Sequence, residues 1–275
     1  MATSAVARLF DAMADDYDTL EPWYGHHYAV LHALLRASLA PAGGPAPGRA
    51  LDAGCGSGFQ AALLEAMGYA THGVDLSARL LAMAAGRLRA PALARADVQA
   101  LPYRDAVFDA VTCCGSTLSF VDRPAAAVAE IARVLKPGGR LFLDCEHKWN
   151  ADLVWTLASA LTGDPLGYGL SPSRAWRAVA RRGGCVITYP GYGALRLFTA
   201  PELRAMLREA GLQPLRTWGI HGLTSLIPST VLHRARLPAA VGPFFRALCA
   251  LDGAVRRLPG SARIACSLVV LARRL

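Results

Sequence analysis

The sequence predicts an α/β protein with a doubly wound, mostly parallel sheet. Three features carry that prediction. Apolar runs of strand length alternate with runs of helical period from Arg49 to Cys145. Glycines and prolines punctuate them, as at Lys136-Pro137-Gly138-Gly139. The first strand passes straight into a helix through the glycine-rich turn Gly54-Cys55-Gly56-Ser57-Gly58. The 275 residues are 53% apolar and 18% charged, which supplies a large core and excludes disorder as the main state.

Taken in order, residues 22–40 carry apolar side chains at helical spacing and complete an N-terminal helical cap over 1–48, closed by the Pro/Gly break at 41–48. The core over 49–146 reads as strand Arg49–Ala53, helix 59–67, strand 69–75 and helix 77–89, with Ser77 as its cap. A short strand lies at 93–96 and another at 108–114. An alanine-rich helix over 124–135, the turn 136–139 and a strand over 140–145 complete the core. Residues 147–197 form an insertion that begins with a helix over 152–161 and is rich in Gly, Pro, Arg and Tyr from 163 to 193. In the last part, 198–275, Thr199 caps a helix over 201–210 that Gly211 stops. A strand over 213–218, an apolar stretch over 220–258 broken by Pro228, Pro238 and Pro243, and a final strand over 264–271 follow. All four parts read as a single domain.

The formal net charge is +9, and Lys136 and Lys148 are the only lysines among 29 basic residues. The charge is uneven: residues 1–150 hold 13 basic and 15 acidic side chains, residues 151–275 hold 16 arginines and five acids. That asymmetry fits an acidic substrate, an anionic membrane surface or nucleic acid; it fits equally an arginine preference on solvated helix faces. No run of 18 uncharged apolar residues offers a spanning helix. Acids at 11, 15, 16, 18 and 21 argue against a cleaved export signal. The seven cysteines form no C-x-x-C pair and no Cys/His cluster, which predicts reduced, buried thiols in a cytoplasmic protein with no metal site. Cys113 and Cys114 lie on a strand and point to opposite faces, so they do not share a ligand.

The glycine-rich turn is the strongest local signal. Glycines at 54, 56 and 58 let the backbone turn tightly beneath a ligand, and the amides opening the next helix favour negative charge. A dinucleotide fingerprint needs a small residue at 59, where Phe59 stands, which argues against a nicotinamide oxidoreductase. Asp75 ends the second strand, 23 residues after Asp52, where a carboxylate accepts both hydroxyls of a ribose. Asp97 follows the third strand and is placed to accept from an exocyclic amine. Together they suit an adenosine-bearing ligand without a pyrophosphate.

On LDAGCGSG (51–58), GVDLS (73–77), ADVQALPYRDAVFDAV (96–111) and ARVLKPGGRLFL (132–143), in that order, the sequence resembles the class I S-adenosylmethionine-dependent methyltransferases. A weaker match at FTAPELRAMLREAGL (198–212) extends the likeness. Its nearest flavour is the small-molecule and quinone-biosynthesis branch, whose members often begin with a segment like FDAMADDYD (10–18). The resemblance implies a Rossmann-like, seven-stranded sheet with helices on both faces and an antiparallel last strand. It also implies S-adenosyl-L-methionine as cofactor and a small-molecule acceptor, hydrophobic or anionic. In that reading Gly54, Cys55, Gly56 and Gly58 lie beneath the methionine part and Asp52 orients the loop or the cofactor amine. Asp75 holds the ribose with Leu76 against the adenine, Asp97 and Val98 read the adenine edge, and Cys114, Gly115 and Ser116 line the methionine side. A non-catalytic nucleotide-binding module on the same fold is the alternative.

Methyl transfer from a sulfonium is an in-line displacement in which the protein chiefly aligns the nucleophile and excludes water. Acceptors on such sheets sit above the C-terminal strand ends. His147, in the loop 146–150, is the first base candidate and Glu146 the second; His147 reads equally as a residue that opens a helix. Tyr17 matches a tyrosine that often closes over the cofactor, and reads equally as a surface aromatic. Tyr189, Tyr192, His221, Trp23, Tyr24, His26 and His27 are pocket-wall candidates; His26 and His27, about 100° apart on a helix, cannot face one site. The scarcity of lysine and the lack of an N/D-P-P-Y motif argue against nucleic-acid methylation. The basic, apolar stretch 220–258 reads as a lid resting on a membrane, or as a core helix or homodimer face.

Overall fold

A computed structural model describes residues 3–19, 21–40 and 48–275. Two helices lead, α1 (Thr3–Met13) and α2 (Pro22–Leu39), and the sheet begins at β1 (Arg49–Ala53). Then come α3 (Phe59–Ala66), β2 (Ala70–Asp75), α4 (Ala78–Arg87), β3 (Ala92–Arg95), β4 (Phe108–Cys113), α5 (Thr117–Phe120), α6 (Pro124–Val134) and β5 (Leu135–Glu146). The insertion holds α7 (Ala151–Leu161), α8 (Pro172–Ala180) and the hairpin β6 (Cys185–Tyr189) to β7 (Gly193–Leu197). Last are α9 (Ala200–Glu209), β8 (Leu212–Ile220), α10 (Ser229–Leu232), α11 (Val241–Val255) and β9 (Ser267–Arg274). The seven-stranded sheet runs β3-β2-β1-β4-β5-β9-β8, and only β9 is antiparallel to its neighbours, as the resemblance implies.

The strands are buried on both faces, so their side chains sort by period two into two cores. Leu51, Val111, Leu141, Leu143 and Val270 pack with Val128 and Ile131 of α6 and Leu203 and Leu207 of α9. Ala50, Ala110, Phe142 and Val269 pack with Leu31, Leu35 and Leu39 of α2 and Leu63 and Leu64 of α3. Cys113 falls in the first core and Cys114 in the second. Six of the seven thiols are buried and none is in a disulfide.

Several boundaries move. The turn expected at 136–139 is absorbed into β5 as a bulge, where pairing steps from Phe108 opposite Leu135 to Ala110 opposite Arg140. The last strand starts at Ser267 rather than 264, because residues Ser261–Ile264 form a 3-10 turn that leaves Ile264 half exposed. The insertion is more ordered than its composition suggests, and Pro172 opens a helix in it as N-terminal prolines do. Most of the Pro/Gly break, residues 41–47, lies outside the described residues. No described helix is long and apolar enough to cross a membrane.

Ser77 caps α4 as expected, its hydroxyl accepting from Leu80 N at 3.1 Å. Thr199 forms a capping box with Glu202, whose carboxylate also accepts from Gly184 N at 2.9 Å and so ties α9 to the insertion. Thr199→Ala should cost about 1 kcal/mol in urea unfolding; an unchanged midpoint would show that the cap carries no weight.

Candidate active site

The glycine loop is built as its residues dictate. Gly54 and Gly56 take φ of 80° and 52°, and Cβ atoms there would fall 2.4 Å from Thr117 Oγ1 and 3.0 Å from Tyr17 Oη. Asp75 holds the loop: its Oδ2 accepts from Gly56 N and its Oδ1 from Ser77 N, both at 2.8 Å. Burial pushes its pKa up. The carboxylate lines a cleft walled also by Gly54, Leu76, Leu80, Asp97, Val98 and Thr117. A desolvated carboxylate beside an apolar slot suits a ribose and a flat base. Asp97 sits at the far wall, accepting from Gln99 N at 2.9 Å. Asp52 lies fully buried beneath the loop; Thr112 Oγ1 donates to its Oδ1 at 2.8 Å and its Oδ2 has no partner. Burial raises its pKa to about 7.

Two residues expected at the cofactor turn their side chains elsewhere. The Cys55 thiol turns beneath the loop toward Gly73 and is buried. The Cys114 side chain faces the second core, with its Sγ 3.8 Å from the Phe142 carbonyl, because strand alternation turns it away from the cleft. The wall there is Gly115 and Ser116, both at positive φ.

The N-terminal segment straps this cleft shut. Ser77 Oγ donates to Asp11 at 2.5 Å, and Ser57 Oγ donates to Asp18 at 2.6 Å. Arg87 donates to Asp18 at 2.5 Å and to the Ser57 carbonyl at 2.8 Å. Tyr17 is thereby laid over the glycine loop rather than left on the surface. Burial and the Asp75 charge push its phenol well up, so it stays protonated and is no base near neutral pH.

Beyond Tyr17 the cleft opens into a chamber of about 450 Å3. Phe10, Tyr17, Gly115 and Phe120 line both spaces and form the neck between them. The chamber wall is aromatic, with Trp23, Tyr24, Tyr28, Tyr189 and Tyr192. Its polar groups are Ser116, Glu146, His147, Asn150, Asp152, Ser229, His27 and His233, among others. Among the described residues no arginine or lysine lines it, so the expectation of an anionic acceptor finds no guanidinium or ammonium there.

Both base candidates reach this chamber. The His147 ring places Nδ1 at 2.9 Å from the Ala265 carbonyl, so Nδ1 carries the proton and Nε2 the lone pair. Burial lowers its pKa, which keeps it neutral. Glu146 accepts from Ser116 Oγ at 2.7 Å, and burial raises its pKa. His27 lines the chamber and pairs with Asp144 at 3.1 Å, and His26 turns toward Phe245; the two rings nonetheless both approach His221, at 5.8 and 5.2 Å. Trp23 stacks on His221 at 3.7 Å, Tyr24 Oη donates to Tyr192 Oη at 2.8 Å, and Tyr189 shares a 2.6 Å hydrogen bond with Ser229.

Sequence reasoning missed Asp144, Asp152, Ser229 and His233. Asp152 is half-buried and accepts from Ser229 N and Oγ, both at 2.7 Å, and from Tyr168 Oη at 2.5 Å. Nothing local marks a pair 77 residues apart. Asp144 did leave a signal: it is a lone carboxylate inside the apolar strand Leu141-Phe142-Leu143-Asp144-Cys145.

A family model described as a methyltransferase domain matches residues 51–143. The demethylmenaquinone methyltransferase of Corynebacterium kroppenstedtii is 37% identical over 187 residues, spanning 62% of this chain and 79% of that protein. The ubiquinone biosynthesis O-methyltransferase of Xanthomonas axonopodis pv. citri is 32% identical over 198 residues, 66% of this chain and 71% of that one. Among solved structures, an S-adenosylmethionine-dependent methyltransferase from Mesorhizobium loti superposes with a TM-score of 0.58 at 19% identity, covering 90% and 98% of the two chains. The magnesium protoporphyrin IX methyltransferase of Synechocystis PCC 6803 gives 0.57 at 15% identity, covering 92% and 86%. At such identities these two speak for the fold alone.

Proposed function

The chain belongs to the class I S-adenosylmethionine-dependent methyltransferases, and we propose that it methylates a flat, uncharged aromatic small molecule held in the chamber. One observation carries this reading: an aromatic-walled chamber with no arginine or lysine among its described lining residues meets the cofactor cleft at the Gly115 neck. The relatives in demethylmenaquinone and ubiquinone chemistry bear names that fit the same kind of acceptor.

Bound S-adenosylmethionine supplies a methyl group activated by a sulfonium. The chain's residues do the rest. Asp75 would hold the ribose hydroxyls, Leu76 and Val98 the faces of the adenine, and Asp97 its amine. Core 49–146 thus supplies the cleft, Val6, Phe10 and Tyr17 its cover, and insertion 147–197 with residues from 198–275 the acceptor wall. Tyr17 and Phe120 exclude water from the neck, which keeps the nucleophile aligned and desolvated. His147 Nε2 is the site for a proton leaving an acceptor hydroxyl or amine; Glu146 is the second.

This reading fixes a pH dependence. A base works deprotonated, so kcat/KM should fall as pH drops through the His147 pKa, with its acid limb below 6.5. His147→Gln should lower kcat on the order of 100-fold and abolish that limb. An unchanged profile in this variant, with a large loss in Glu146→Gln, would move the role to Glu146.

The acceptor class is tested with methyl-labelled cofactor and two panels, neutral phenols and hydroquinones against aryl carboxylates and phosphates. Label should enter the neutral panel. Transfer confined to the anionic panel would overturn the reading. The acceptor KM should also be insensitive to salt, since no arginine or lysine faces it.

A further inference from the structure

The aromatic wall of the chamber holds a phenol that the proposed chemistry leaves without a role. The hydroxyls of Tyr24, Tyr189 and Tyr192 each take part in a hydrogen bond within the wall. Tyr28 differs. Among the described residues its hydroxyl has no hydrogen-bond partner. Burial pushes its pKa well up, so the phenol keeps its proton and offers a donor.

The fold fixes where that donor stands. Tyr24, Tyr28 and His32 follow one another at four-residue spacing on α2, and their rings form one stripe. The Tyr28 ring lies 6.1 Å from Tyr24, 5.5 Å from His32 and 5.7 Å from Phe59, which opens α3 behind the glycine loop. A ring packed against three others holds one orientation. Its hydroxyl ends at the neck: a Cβ built on Gly115 would meet Tyr28 Oη at 3.3 Å. Gly115 lines both the chamber and the cofactor cleft, whereas Tyr28 lines the chamber and not the cleft. The donor therefore stands on the acceptor side of the point where the methyl group must cross.

Resting on the reading of a flat neutral aromatic acceptor, we propose that Tyr28 donates a hydrogen bond to an oxygen on the ring atom next to the reacting one, and so selects aromatics with two vicinal oxygens. A donor on the reacting atom itself would occupy the lone pair that must attack the methyl group. An oxygen across the ring would lie deeper in the chamber, away from the neck. The neighbouring position meets both conditions. An acceptor without an oxygen there leaves a desolvated donor unpaired, which costs affinity and makes the contact selective. Proton removal from the reacting atom stays with His147.

The test is calorimetric titration of the whole chain, loaded with S-adenosylhomocysteine, with 2,3-dihydroxynaphthalene and with 2-naphthol. It is run on the wild type and on Tyr28→Phe, which keeps the packed ring and removes no hydrogen bond of the fold. The wild type should bind the vicinal diol at least about tenfold more tightly than the single naphthol. In Tyr28→Phe that ratio should fall below about threefold, with S-adenosylhomocysteine affinity and melting temperature unchanged. Equal binding of the two naphthols by the wild type, or a ratio kept in Tyr28→Phe, would overturn the inference and leave the acceptor reading standing. Weakened S-adenosylhomocysteine binding in Tyr28→Phe would assign the hydroxyl to the cofactor and overturn it too. Binding of neither naphthol would overturn the acceptor reading and this inference together.

Discussion

Asp75→Ala should weaken S-adenosylhomocysteine binding at least about 100-fold. The carboxylate lines the cleft, and hydrogen bonds to a charged group contribute about 1.5–3 kcal/mol each. Two such bonds to a ribose amount to about 3 kcal/mol or more, which is two decades of affinity. Part of the loss is indirect, since Asp75 also anchors Gly56 and Ser77. Asp75→Asn separates the contributions. It keeps one carbonyl acceptor and should lose on the order of tenfold. Calorimetry measures both; wild-type affinity in Asp75→Ala would remove Asp75 from the cofactor site.

The largest effect on stability is expected at His27 and Asp144. Both are buried, and they meet at 3.1 Å across the interface of α2 with β5. Asp144 Oδ1 also lies 3.4 Å from Ser116 N, so the pair supports the loop that walls the chamber. Removing one partner of a buried pair leaves the other uncompensated, at a cost of about 3–5 kcal/mol. His27→Leu should therefore lower the melting temperature by roughly 6–20 °C for a chain of this size. His27→Leu combined with Asp144→Leu should recover much of that loss, because no isolated buried carboxylate remains. A double variant as unstable as the two single losses added together would show that the pair is not coupled.

The legible parts of this molecule are local ones. Strands β1, β2 and β4 show as apolar runs because both sheet faces are covered. The glycine loop, Asp75 and Asp97 show because each stands at the C-terminal end of its own strand, where a few consecutive residues fix position and chemistry together. Thr199 and Ser77 show as caps for the same reason. What stayed hidden depends on distant partners. The strap over the cleft rests on Asp11 with Ser77 and Asp18 with Arg87, pairs 66 and 69 residues apart. The chamber wall joins Asp152 to Ser229 across 77 residues. Cys114 was misplaced for a different reason: motif position suggested a cofactor contact, while strand alternation turned its side chain into the second core. The charge asymmetry was visible from the start, but only the fold shows that the arginines lie outside the chamber.

Titration of the intact protein with S-adenosylhomocysteine, and separately with NADH, tests the central claim most directly. The account predicts one site for S-adenosylhomocysteine with a dissociation constant on the order of micromolar, and none for NADH. The glycine spacing, Phe59 and the Asp75 carboxylate in the cleft together select an adenosine without a pyrophosphate. Binding of NADH with no heat from S-adenosylhomocysteine well above micromolar would contradict it.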